Sequence, residues 1–402
     1  VLRFASYATV GVSFAGVLAW ALGRALTDTT RWSQYLFWMP TVVVVGASGV
    51  LLLLAWGMRW FGAVLAYASL RKARIAWGEG GEGYEARSSS SPETKPYRKH
   101  LFKGFWGLAA LATMGAAAYG LAEWTGPGRA ADFQRANSLR VVFWNDSEGL
   151  MRDWERALLE PGPDVAIMKP GSGRAFGNAL TQMGPDADFV YTHGFAIVTK
   201  AKIKRRTHFT LRVTQGLGID LRRKDMRQPL PDFGTATILE LATRERLGRD
   251  ITLYLIDLPS DPSLWRQTVM LEAKATLDAF TADVWRKDDK LDRWLRIENP
   301  EPFAPPDLLI GDLNTPRGAD SIRILTGDMQ SAYDAAGNGY AATYPRVLPL
   351  WHLDQAYVAK SLRVGWYQVR NPGGGTHAMQ IVDLLPGKSP ASGRETPNVP
   401  NR

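Results

Sequence analysis

Apolar and polar positions are spread so unevenly along this chain that its first third and its remainder read as different kinds of protein. Three long uncharged runs come first. One lies between Arg3 and Arg24, centred on 7–22; one lies between Arg31 and Arg59 and holds 42–45 and 51–54; one, rich in Ala, Gly and Leu, lies between Lys103 and Glu123. Each is about 19 residues or longer, enough to cross a hydrocarbon core of roughly 30 Å as a helix. Buried helices of soluble proteins seldom run that far without a charge. The pattern predicts a membrane region at 1–125 with transmembrane helices over about 5–23, 35–57 and 104–122. The first run has Arg3 alone as its basic flank and is followed by further spans, which favours a signal anchor over a cleaved signal peptide.

The polar segments between the runs set an orientation. Segment 58–103 carries Arg59, Arg71, Lys72, Arg74, Arg87, Lys95, Arg98, Lys99 and Lys103, against Arg24, Asp28 and Arg31 in the first loop. The positive-inside bias makes 58–103 a cytoplasmic loop and puts everything after Trp124 on the outer face of the plasma (inner) membrane. Within that loop, 60–70 is apolar but too short to cross, so it extends the second helix or lies in the interface. Residues 78–96, with Gly-Glu repeats and a Ser run, read as flexible loop. Trp56, Trp60, Trp106 and Trp124 stand near span ends, where indoles favour the headgroup boundary. Small residues in the third run (Gly115 to Ala118, Gly120) permit close helix contacts.

From Ser138 the period changes. Short β-rich runs alternate with turns and amphipathic stretches: 139–144 (LRVVFW), 163–168, 195–199, 209–213, 237–241, 251–258, 308–310, 353–358, 364–370 and 379–384 predict strands. Helical spacing appears at 150–159, around 321–325, and over 262–285, the last extending through Leu295. About 250 residues of strands with interspersed helices predict an α/β sandwich over 138–387. The remainder, 388–402, is rich in Pro, Ser and Gly and reads as a disordered tail.

Composition refines this picture more than it changes it. A length of 402 residues exceeds one ordinary domain, and 46% hydrophobic residues exclude a wholly disordered chain. The mean hydropathy of −0.17 averages an apolar first third with a polar remainder. With no cysteine, disulfides, thiolate metal sites and a cysteine nucleophile are excluded. A net charge of +9 favours anionic partners, though part of it belongs to the cytoplasmic loop. The basic runs 200–206 (KAKIKRR) and 222–227 (RRKDMR) read as solvated rim, lacking the aromatic interleaving of a nucleic-acid surface. Nucleic acid is therefore the less favoured partner.

Several short motifs fall in a telling order: FWN ending at Asn145, PDVAIMKP (163–170), HGFAIVTK (193–200), YLIDLPSDP (254–262), GDLNTP (311–316), ATYP (342–345), LDQAYV (353–358) and GTHAMQIVDL (375–384). In that order and spacing, 138–387 resembles the endonuclease/exonuclease/phosphatase superfamily, some of whose members carry hydrophobic spans ahead of the domain. The resemblance implies a four-layer, DNase I-like α/β sandwich and hydrolysis of a phosphodiester or phosphomonoester by metal-assisted water attack, with Mg²⁺ or Mn²⁺ as cofactor. It implies Asp312 as the group that activates water, Asn314 as a phosphate-contacting amide, and Asn145 as an organiser of the metal or phosphate region. It also implies His377 as a phosphate contact whose imidazole is oriented by Asp354. His193 and His352, without metal-ligand spacing to a partner, read as framework or surface residues.

The sequence departs from the family at three of these positions. Lys169 stands where the family has its main metal-ligating glutamate, Asp257 where it has a histidine or tyrosine, and Thr376 where it has an aspartate. An ammonium repels a divalent cation, so the metal is left unassigned. Asp257, Asp146 and Glu148 are the carboxylates that could rebuild an oxygen site. Lys169 either replaces metal charge and binds an anion directly, or marks a site that has lost its chemistry. The expected function is thus a membrane-anchored phosphoesterase with a phosphate-bearing substrate. The alternative is a catalytically impaired relative that holds a phosphorylated ligand or protein partner.

Overall fold

The structure, a computed structural model, describes residues 1–78, 96–146, 153–169, 177–192, 194–211, 234–279, 284–288 and 293–387. It divides into two units, Val1–Thr27 with Tyr35–Ala122 and Asp28–Gln34 with Glu123–Arg402.

The first unit is helical: α1 (Leu2–Leu26), the short α2 (Arg31–Phe37) that the unit boundary crosses, α3 (Thr41–Gly78) and α4 (Pro96–Trp124). Three stretches are long and apolar enough to cross a membrane, Leu2–Leu26, Thr41–Lys72 and Gly104–Glu123. The second starts at Thr41 rather than at 35, because Pro40 has no N–H to give a helix interior. Pro40 instead opens the helix, its carbonyl accepting from Val43 N and Val44 N at 3.0 and 3.1 Å. At 38 residues α3 takes in 60–70 as a helical extension. Both ends of segment 58–103 are therefore helical, and 79–95 lies outside the described residues. A buried hydroxyl ladder links the three long helices: Ser13 Oγ meets Ser48 Oγ at 2.6 Å, and Ser48 Oγ meets Thr113 Oγ1 at 2.7 Å. With no water in a bilayer core, such groups must find partners on neighbouring helices.

The second unit is a four-layer sandwich. One sheet runs β12-β14-β15-β1-β2-β4-β3 and the other β11-β13-β10-β7-β6-β5-β8-β9 among the described residues. The first is built from β1 (Leu139–Asn145), β2 (Val165–Lys169), β3 (Asp188–Tyr191), β4 (Ala196–Thr199), β12 (Gly337–Asn338), β14 (Leu362–Arg370) and β15 (Met379–Pro386). The second is built from β5 (Ile203–Leu211), β6 (Gly234–Leu241), β7 (Ile251–Asp257), β8 (Trp285–Asp288), β9 (Arg293–Arg296), β10 (Leu308–Asp312), β11 (Gln330–Ser331) and β13 (Asp354–Val358). Their inner faces share one core that includes Val141, Phe143, Ile167, Leu255, Ile310 and Ala356. The outer face of the first sheet, with Trp144, Met168 and Ile381, is covered by α5 (Trp154–Leu159) and α6 (Gly177–Met183). Outside the second sheet lie α8 (Arg266–Ala279) and α9 (Ile322–Thr326), while α7 (Arg244–Leu247) and α10 (Ala332–Ala336) fill connections.

The long helix expected over 262–285 and on to Leu295 is not present. Helix α8 ends at Ala279, and Trp285–Asp288 and Arg293–Arg296 form an antiparallel pair that extends the sheet edge beyond β5. The buried stripe of α8, Arg266, Val269, Met270 and Ala273, does not run past Ala273. Beyond it the alternating side chains of WRKD and RWLR suit an edge strand, and Arg206 stacks on Trp294 at 4.4 Å. Residues 388–402 and 222–227 lie outside the described residues.

Segment Asp28–Gln34, between the first two long helices, is built into this sandwich. Asp28 is fully buried; its Oδ1 accepts from Ser321 N at 3.1 Å and its Oδ2 from Ser321 Oγ. Gln34, also fully buried, accepts from Arg266 N at 2.8 Å and donates to Pro262 O and Leu264 O at 3.1 and 3.0 Å. The buried Arg266 guanidinium in turn donates to Pro259 O and Asp261 O, holding the loop that follows β7.

Candidate active site

Period-two alternation builds the site. On β1 the inner face reads Leu139, Val141, Phe143, Asn145; on β2 it reads Val165, Ile167, Lys169; on β7 Leu253, Leu255, Asp257; on β10 Leu308, Ile310, Asp312; on β13, read backwards, Val358, Ala356, Asp354. Five strands thus end an apolar inner face with one polar residue. Register brings those ends side by side: Asn145 pairs with Lys169 in one sheet, and Asp312 pairs with Asp257 on one flank and Asp354 on the other. Gly311 is obligatory in this row, since a Cβ there would lie 1.8 Å from Ile256 O on β7.

Two pairs join the sheets across the gap. Asn145 Nδ2 donates to Asp312 Oδ2 at 2.9 Å, and Lys169 Nζ forms a short ion pair with Asp257 Oδ2. The other Asp312 oxygen accepts from Asn314 N at 2.9 Å, which fixes the carboxylate plane. His377, in the turn before β15, sets Nδ1 2.7 Å from Asp354 Oδ2 and 3.8 Å from Asp312 Oδ2. Lys169 is the most open member, its side chain 28% exposed against 8% or less for Asp257, Asp312, Asp354 and His377.

Burial and mutual charge tune these groups. Burial, then the neighbouring Asp354 charge, raises the Asp312 carboxyl to about 7, against the pull of His377. Burial disfavours the charged form of His377, but the carboxylates of Asp354 and Asp312 outweigh it and lift the imidazole to about 9, with the Lys169 charge opposing. Near neutral pH the cluster therefore favours an imidazolium at His377 and a carboxyl at Asp312 that holds its proton far more readily than an ordinary aspartate.

The remaining expected residues fall as follows. Asn314 sits at φ +45°, and its Nδ2 donates to Leu258 O at 2.7 Å, bracing the turn after β7. Thr376 is half-buried, its carbonyl accepting from Arg346 N. Asp146 is fully buried near Gly375, where a Cβ would come within 2.7 Å of its Oδ1. Glu148 and His193 lie outside the described residues. His352 is framework: Tyr367 Oη donates to Gln380 Oε1, so His352 Nε2, 3.0 Å away, donates to Tyr367, and burial holds the ring neutral.

Three supporting residues escape the sequence reading. Tyr344 lies against the His377 ring at 4.7 Å between centroids, Trp144 Nε1 donates to His377 O at 3.2 Å, and Thr343 Oγ1 accepts from Asp354 N at 3.1 Å. The ATYP motif flags the first and third by position, although neither residue type announces the contact. The 200–206 run is engaged at the sheet edge: Lys204 pairs with Asp250 and Arg205 with Glu240, both at 2.6 Å.

These residues meet a divalent cation with a mixed donor set. Asp312, Asp354 and His377 bring candidate ligand atoms within 4.8 Å of one another. Against them, His377 Nδ1 faces Asp354 as a hydrogen-bonded partner. On the other flank the Asp257 carboxylate is matched by the Lys169 ammonium. Hard cations need several oxygens, and the site offers Asp354 Oδ1 as a buried carboxylate oxygen without a hydrogen-bond partner beside cations of its own.

Sheet order and register make the second unit a four-layer α/β sandwich, the DNase I-like arrangement expected from the sequence. No protein-family model and no curated protein matches the chain. Among solved structures it is similar to an endonuclease/exonuclease/phosphatase family protein from Bacteroides thetaiotaomicron, at 15% identity and TM-score 0.40, over 61% of this chain and 94% of that one. It is similar also to a mannosyl-6-phosphatase of Bacteroides thetaiotaomicron, at 15% identity and TM-score 0.40, over 62% and 100%. A third is the inositol polyphosphate 5-phosphatase domain of a synaptojanin, solved with an inositol bisphosphate and calcium, at 11% identity and TM-score 0.36, over 61% and 84%.

Proposed function

We propose that this protein is a membrane-anchored phosphoric ester hydrolase whose catalytic domain lies outside the plasma (inner) membrane. The observation that carries the reading is the convergence of Asp312, Asn145, Lys169 and the Asp354–His377 pair at adjacent strand ends. Asp312, held by Asn145 and Asn314 N, takes a proton from water as the water oxygen bonds to phosphorus. The phosphorus–oxygen bond to the leaving group breaks, and the leaving oxygen takes the His377 proton. Asp354 keeps that imidazole oriented and charged. The carboxyl near 7 suits a base that works at neutral pH.

Full-length protein in detergent, assayed with bis(p-nitrophenyl) phosphate and p-nitrophenyl phosphate, tests this. Loss of a general base typically costs about 10²–10⁴-fold, and Asp312→Ala is expected to fall in that range. Equal turnover by wild type and Asp312→Ala refutes the assignment. The second reading is a silent module that holds a phosphorylated ligand or protein partner, and the Lys169–Asp257 pair is what favours it. No wild-type turnover in chelator, Mg²⁺ or Mn²⁺, with activity appearing in Lys169→Glu plus Thr376→Asp, would establish that reading instead. Protection of the domain from external protease in intact cells would sink the outward orientation.

A further inference from the structure

Resting on the hydrolase reading, the buried segment Asp28–Gln34 connects to the catalytic strands bond by bond. Gln34 meets the loop after β7 at three backbone points, accepting from Arg266 N and donating to Pro262 O and Leu264 O. Arg266, fully buried, ties the nearer half of that loop through Pro259 O at 2.6 Å and Asp261 O at 2.7 Å. The loop begins at Leu258, which touches the turn after β10 twice. Its N–H donates to Asp312 O at 2.9 Å, and its carbonyl accepts from Asn314 Nδ2 at 2.7 Å. Asn314 N in turn holds Asp312 Oδ1. On its other side the loop is packed against β6, where a Cβ on Gly234 would lie 2.7 Å from Asp257 O and 3.1 Å from Pro259 Cδ. A close-packed loop of this kind passes a shift at one end to the other.

We propose that Gln34 is a positioning residue of the active site: through Arg266 and the 258–264 loop it sets where Asn314 holds the Asp312 carboxylate. The catalytic unit is then discontinuous in sequence, and a fragment starting at Ser138 lacks a part that its site needs. Asp28 provides the internal control. It lies in the same segment and is equally buried, but its carboxylate bonds Ser321, ahead of α9, instead of the 258–264 loop. Loss of either side chain removes buried hydrogen bonds and lowers stability. Loss of Gln34 also releases the loop that places Asn314, and a shift of about 1 Å at a reacting group costs on the order of 10²-fold in rate.

Full-length wild type, Gln34→Met, Gln34→Asn and Asp28→Ala in detergent are compared by p-nitrophenyl phosphate kinetics, thermal melts and amide hydrogen exchange read by mass spectrometry. Gln34→Met should lower kcat about 10- to 100-fold with KM changed less than about 3-fold, and should speed exchange in 258–264 and 312–316. Gln34→Asn, one methylene short of the loop, should fall between Met and wild type, and it stands in for Met if that variant does not melt cooperatively. Asp28→Ala should melt lower yet keep wild-type kcat and wild-type exchange in 312–316. Unchanged kcat and unchanged exchange in 312–316 on loss of Gln34 overturn the proposal. So does a kcat loss that Asp28→Ala shares in proportion to its fall in Tm, since that is the mark of a purely structural residue. Absence of turnover in wild type sinks the hydrolase reading alone; exchange in 312–316 then decides, faster in the Gln34 variants only if Gln34 positions that turn.

Discussion

Replacing Asp312 by Asn should stabilise the domain in a pH-dependent way while removing its base. An ordinary aspartate titrates at 3.8, and burial beside Asp354 raises this one to about 7. A folded-state value above the unfolded one means the protonated form is favoured by folding. That stability is complete below 3.8, shrinks as pH rises, and is fully lost above about 7. At 1.36 kcal/mol per unit, burying this carboxyl costs about 4.5 kcal/mol at pH 8, where it is ionised, and about 1.5 kcal/mol at pH 5, where folding makes it take up a proton. Asn carries no such charge. Its own cost is independent of pH: its carbonyl can accept from Asn314 N, while Asn145 must turn its amide to meet the new NH₂, within about 1 kcal/mol. The advantage of Asp312→Asn should therefore grow by about 3 kcal/mol between pH 5 and 8. His377 shares the proton balance with Asp312, so about half of that growth is expected. At about 2–4 °C per kcal/mol for a domain of this size, the gap in Tm should widen by about 3–6 °C. Intrinsic tryptophan fluorescence during a thermal ramp, on full-length protein in detergent at both pH values, measures it. A gap that stays constant, or narrows toward pH 8, refutes the assignment of a strained buried carboxylate.

Hydrolysis by wild type should rise through about pH 7 as Asp312 loses its proton and fall through about pH 9 as His377 loses its own. In Asp354→Asn the alkaline limb of kcat/KM should move toward the ordinary imidazole range; an unmoved limb assigns it to another group. Asp28→Ala removes the acceptor for both Ser321 N and Ser321 Oγ. At about 1–3 kcal/mol for each orphaned buried donor, the domain's Tm should drop by several degrees, and a change under about 1 °C would show the contact to be idle. Gly311→Ala places a methyl group 1.8 Å from Ile256 O, so the sandwich should fail to assemble, as read by loss of the cooperative melt.

Much of the site is legible from strand patterns because side-chain direction follows a period of two. Val141, Phe143 and Asn145 share a face by parity alone, as do Ile310 and Asp312, so a polar residue closing an apolar alternation marks the end of the core. Pairing between strands far apart in sequence leaves no such local trace. Lys169 and Asp257 are 88 positions apart, and nothing in either motif says that one neutralises the other. The β8–β9 pair is hidden for a different reason: after α8 the helical spacing continues on paper, while the edge of β5 offers backbone hydrogen bonds that local periodicity cannot register. Tyr344 reaches His377 through a loop, where neither period applies.

The segment Asp28–Gln34 is made long before its partners: Ser321 follows Asp28 by 293 positions. During synthesis a carboxylate and an amide destined for full burial must wait until Arg266 and Ser321 emerge. The loop and the sandwich share one fold, so they must end on one side of any bilayer the long helices cross. A chain that fails to bring Asp28 to Ser321 and Gln34 to Arg266 leaves buried backbone donors without acceptors, and its sandwich an open seam.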